Sequence, residues 1–98
     1  MADRPLMPAG LELARSTPVF TETTVPPALL AAHRVASGVW GRLRMLDGTV
    51  RFVFEADVPG SYELGPGDVI DIPPDVEHHV EPQPGARFVI EFYRAPRG

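Results

Sequence analysis

The chain has 98 residues, 44% of them apolar and 22% charged, with a net charge of −4. That length supports one hydrophobic core and one domain. All nine basic residues are arginines, spread singly along the chain, a distribution that disfavours a nucleic-acid partner. The chain lacks cysteine, which removes thiolate metal sites, thiol catalysis and disulfides. No apolar run is long enough to span a bilayer and the N-terminus does not read as a secretory leader, so a cytoplasmic protein without a membrane partner is expected. Twelve prolines and nine glycines punctuate short apolar segments, the pattern of an all-β barrel or sandwich.

In chain order, residues 1–14 read as an N-terminal arm, 15–94 as the barrel and 95–98 as a tail. "LELARSTPVF" suits a short strand at a sheet edge, because Pro18 has no amide hydrogen for a ladder. "TVPPALLAAH" is the one helical element, a turn or two long, with Thr24 as its cap and prolines in its first turn. "GVWGRLRMLDGTVRFVFE" carries the strongest local signal. Asp47-Gly48 is a favoured two-residue hairpin turn flanked by alternating segments. Folding about it pairs Met45 with Val50, Arg44 with Arg51 and Leu43 with Phe52. Val39, Leu43, Met45, Val50, Phe52 and Phe54 then share the core face. Further strands are expected at "SYEL", "VIDIP", "VEHHVE" and "ARFVIEFYR", separated by "DVPG", "GPGD" and "PQPG" turns.

Within "VEHHVE", strand periodicity sends Val76, His78 and Val80 to one side and Glu77, His79 and Glu81 to the other. His78 on the apolar side is either a packed core residue or a ligand, whereas His79 falls among carboxylates on the outer face. Glu91 sits mid-strand between Ile90 and Phe92, where an unpaired charge is costly to bury. It therefore needs a metal or an arginine partner.

The spacing of Gly67, five residues, Pro73 and His78 resembles the second cupin motif, with Asp75 standing where that motif carries glycine. "MLDG" resembles the end of the first motif, with Gly41 at its glutamate position. A closer resemblance is to the TehB/YeaR-like family of small cupins, often labelled tellurite-resistance-related. The segments that carry it are "RSTPVF", "TVPPALLAAH", "GVWGRLRMLDGTVRF", "HVEP" and "RFVIEFYR", from Arg15 to Arg94. It implies a compact all-β, single-domain cupin barrel, often dimeric.

The resemblance also implies a divalent transition metal inside the barrel, bound by His78 and by His33, which lies near the leading histidine of the first motif. Imidazole nitrogens suit zinc or iron, and also nickel, copper or manganese. A carboxylate is expected as third ligand, either Glu91 or Glu81. Arg42 and Arg44 share one strand face, and with Trp40 they are candidates for a small-molecule pocket near the barrel mouth. Their alternative is a solvated outer face. Three functions fit: a metal-dependent cupin of oxygenase or isomerase type, a metal-dependent sensor or binding protein in a stress or tellurite-type response, and a metal-free dimerisation module. A homodimer is expected, with the arm and "LELARSTPVF" in the contact.

Overall fold

The computed structural model describes residues 5–31, 33–55 and 60–96. Eight strands follow one another in the described chain: β1 (Glu12–Ser16), β2 (Phe20–Thr21), β3 (Trp40–Asp47), β4 (Val50–Phe54), β5 (Gly60–Leu64), β6 (Val69–Ile72), β7 (His78–Pro82) and β8 (Arg87–Arg94). They form two antiparallel sheets. The larger has the order β1-β8-β3-β6, with β2 also on β8, and the smaller has the order β5-β4-β7. The all-β expectation holds, and the strands expected from alternation are all present.

The core lies between the two sheets because each strand alternates. In β3, Gly41, Leu43 and Met45 face inward while Trp40, Arg42 and Arg44 face out. In β4, Val50, Phe52 and Phe54 face inward against Leu64, Val80, Phe88 and Ile90. Phe52, Phe88 and Leu43 are fully enclosed, and each such side chain contributes roughly 1.5–3 kcal/mol by leaving water. The expected core residues are buried, and Val39 packs partly against them.

The expected hairpin is not formed. β3 pairs with β6 and β8, β4 pairs with β5 and β7, and Asp47-Gly48 is a corner that carries the chain from one sheet to the other. Gly48 takes φ 65°, and a β-carbon on it would lie 2.7 Å from the Ala86 α-carbon. The crossing therefore runs against the backbone of the turn before β8, and only glycine allows that approach. Arg44 and Arg51 accordingly do not face each other. Arg44 lies between Val69 and Val89, and Arg51 between Glu63 and Glu81.

The helical element is a single 3-10 turn, Pro27–Leu30, entered from Pro26 without a side-chain cap. Thr24 is not its cap. Its hydroxyl instead accepts the Thr21 amide at 2.8 Å. At the chain start, the Met7 amide donates to Asp71 of the same chain at 3.0 Å, so this part of the arm lies against its own larger sheet. Among the described residues, no helix is long and apolar enough to cross a membrane.

Candidate functional site

After the 3-10 turn the chain runs alongside the entry to β7. His33 and His78 exchange backbone hydrogen bonds in both directions, 2.9 Å each. Val35 bridges to Pro74, and the Asp75 amide donates to the Val35 carbonyl at 3.0 Å. This double stitch brings the two imidazoles together, their ring centroids 5.6 Å apart and nearly perpendicular. Asp75 makes the turn possible by adopting φ 62°. That left-handed conformation suits glycine best and is tolerated by aspartate, which is why Asp75 can stand at a glycine position. Its carboxylate accepts the Ser37 hydroxyl at 3.0 and 2.8 Å, which fixes the turn.

His78 is 2% exposed and stacks on Phe52, ring centroids 5.2 Å apart. Its Nδ1 donates to the Val76 carbonyl at 3.1 Å, which leaves Nε2 with the lone pair. Burial pushes the His78 pKa below its ordinary value, with the Val76 carbonyl opposing and the neighbouring His33 adding to the effect. His78 is thus a neutral imidazole held by a backbone carbonyl, as metal-binding histidines commonly are.

The two carboxylates expected to join the histidines do not. Glu91 lies on the outer face of the larger sheet, because Phe88, Ile90 and Phe92 take the inner positions of β8. There it accepts Arg44 Nη2 at 3.2 Å and the Tyr93 hydroxyl at 2.9 Å. Burial favours its protonated form, but the Arg44 and Tyr93 hydrogen bonds and the nearby arginines outweigh that, and its pKa is lowered. The signal was available in the apolar alternation of Phe88, Ile90 and Phe92.

Glu81 lies on the outer face of the smaller sheet. It accepts His79 Nε2 at 2.6 Å and sits 3.8 Å from Arg51. His79 also lies 3.4 Å from Glu55, so it is held between two carboxylates on the outer face. Its hydrogen bond to Glu81 raises its pKa against the cost of burial, and Glu55 adds to the rise. Among the described residues, no three His, Asp or Glu side chains converge where one ion would touch them all.

Trp40, Arg42 and Arg44 also lie on the outer face of the larger sheet and line neither cavity beside His33. Arg42 holds Asp71 through two hydrogen bonds, Nε to Oδ1 at 2.6 Å and Nη2 to Oδ2 at 3.2 Å, and its guanidinium lies 5.2 Å from the Tyr93 ring centre. The charges of Arg42 and Arg44 are therefore neutralised in a ladder of ion pairs with Asp71 and Glu91.

The pocket opens elsewhere. A cavity of about 420 Å³ lies beside His33, walled by Val35, Val39 and Phe92 and reached by Arg15, Arg34 and Arg94. A second, of about 270 Å³, adjoins it across His33 and Phe92, with Phe20, Leu29 and Ile90 in its wall. His78 lies behind His33 and lines neither cavity. Arg15 and Arg94 were not legible as site residues. A register shift between Leu13 and Arg15 sets Arg15 opposite Phe92, whereas unbroken pairing would set it opposite Glu91.

Comparison with solved structures gives the class. A protein from E. coli (strain K12) superposes with a TM-score of 0.84, at 24% identity over 95% of this chain and 99% of that one. KdgF from Halomonas sp. superposes with a TM-score of 0.55, at 16% identity over 98% of this chain and 90% of its own. With the two-sheet architecture, these likenesses define a small cupin-like barrel.

Residues 15–90 match the TehB-like domain, and the chain belongs to that family. TehB from Haemophilus influenzae is similar in fold, with a TM-score of 0.82 and 24% identity over 91% of this chain. The match covers 33% of TehB, so this chain corresponds to one part of that longer protein. None of the curated proteins matches the chain.

Proposed function

We propose that this protein binds a small molecule in the pocket beside His33, anchored by a divalent transition metal held between His33 and His78. The observation that carries the reading is the paired histidines: two imidazoles brought within 5.6 Å by reciprocal backbone hydrogen bonds, one of them oriented by the Val76 carbonyl. With metal–nitrogen bonds of about 2.1 Å, two imidazoles on one ion have ring centres no more than roughly 6.4 Å apart, so the separation fits. The carboxylates do not fit, because Glu91 and Glu81 are engaged on outer faces. The protein would therefore supply two ligands, and water or the bound molecule would supply the rest. Such an ion would offer Lewis acidity and open positions. The chain's own part is to hold His78 neutral and to wall the pocket with Val35, Val39 and Phe92.

A second reading has a specific observation in its favour. The nearly perpendicular His33 and His78 rings and the stack of His78 on Phe52 also describe ordinary aromatic packing, in which case the pocket works without metal. Titration of chelator-treated protein with Zn²⁺ or Fe²⁺, followed calorimetrically, separates the two. Binding of one equivalent that disappears in both His33→Ala and His78→Ala supports the metal anchor. No uptake, or uptake unaffected by both changes, leaves the metal-free pocket.

A further inference from the structure

We infer that the pocket beside His33 receives a small molecule bearing a carboxylate, with Arg15 and Arg94 as the clamp for that group. The inference rests on the same pocket as the proposed function and not on its metal.

The pocket's volume of about 420 Å³ suits a small organic molecule, and Val35, Val39 and Phe92 give it an apolar body. Three arginines line it, but they are not equivalent. Arg34 is already paired with Glu77 at 3.0 Å. Arg15 and Arg94 form no ion pair among the described residues. Glu12, which faces Arg94 in the strand register, makes none with it and does not line the cavity.

The guanidinium of Arg15 lies 4.4 Å from the ring centre of Phe92. That contact holds the guanidinium against the apolar wall of the cavity, and arginine can bind a planar carboxylate there through two parallel hydrogen bonds. Arg94 Nε is buried and has no hydrogen-bond partner among the described residues. Its residue nevertheless lines the cavity and forms no ion pair among the described residues, so its charge is available to a carboxylate there. The shift in register between Leu13 and Arg15 is the backbone feature that sets Arg15 beside Phe92. Two arginines without ion pairs among the described residues and an apolar wall thus meet at one cavity.

The test uses benzoate and its neutral isostere benzamide, titrated calorimetrically into the full chain after chelator treatment and again after loading with Zn²⁺. Benzoate is expected to bind at least about tenfold more tightly than benzamide, and Arg15→Met and Arg94→Met are each expected to weaken benzoate about tenfold or more while leaving benzamide unchanged. Arg15 is exposed, so its variant should fold even if Arg94→Met does not. Equal affinity for the two probes, or unchanged benzoate affinity in Arg15→Met, overturns the clamp. Benzoate binding by protein that takes up no Zn²⁺ sustains the clamp and removes the metal anchor. Zn²⁺ uptake without benzoate binding does the reverse.

Discussion

His33 and His78 are joined backbone to backbone by two hydrogen bonds of 2.9 Å, so the backbone positions that carry the two rings are fixed to one another. Removing the His78 ring leaves a void against Phe52 in the core and should cost about 2–4 kcal/mol in chemical denaturation. Removing His33, which is only partly buried, should cost less. Both changes should abolish metal uptake, while His79→Ala, on the outer face, should preserve it. Equal loss of metal in the His79 variant would contradict the assignment of faces.

Gly48 marks the crossing between the sheets. Gly48→Ala must place a β-carbon 2.7 Å from Ala86 and keep a left-handed φ, which should cost about 3 kcal/mol or more. Gly67 has a similar positive φ of 85° but open space around it, so Gly67→Ala should cost only about 1–2 kcal/mol, the backbone strain alone. Midpoints in urea, at constant slope, give both values. Equal losses would show that the approach to Ala86 is not what requires glycine at 48.

The outer ladder should shape acid stability. Burial alone would raise the Asp71 pKa, but the Arg42 hydrogen bonds, the Met7 amide and the Arg42 charge together hold it below its ordinary value. A lowered folded pKa contributes stability that is complete above the ordinary carboxylate range, near pH 4, and is lost as pH falls through the folded value. Glu91 acts in the same direction. Arg42→Met should cost about 1 kcal/mol at pH 7, since the pair is partly solvated. It should also flatten the acid limb, because burial then dominates at Asp71. An acid limb identical to that of the unaltered protein would contradict this.

β1 is an edge strand whose five residues are all exposed, and Leu13 on it is 53% exposed. An exposed strand edge with an apolar side chain favours pairing with a second copy. The full chain is expected to sediment as a homodimer at micromolar concentration, and Leu13→Arg should shift it towards monomer. A monomeric full chain, or a dimer indifferent to Leu13→Arg, would locate any self-association elsewhere.

Which side chains face inward can be read from the order of residues alone. Strand alternation is a local property, so Leu43, Met45, Val50, Phe52 and Phe54 were legible as core, and His78 separated correctly from His79 and Glu81. Alternation is the same whichever strand lies alongside, and so the tertiary structure alone decided that β3 and β4 belong to different sheets. It also decided that Glu91 meets Arg44 rather than His78, and that Arg15 lies over Phe92. Those relations depend on strand order and on a one-residue shift in register. Both are relations between segments far apart in the chain, which alternation within one strand does not specify.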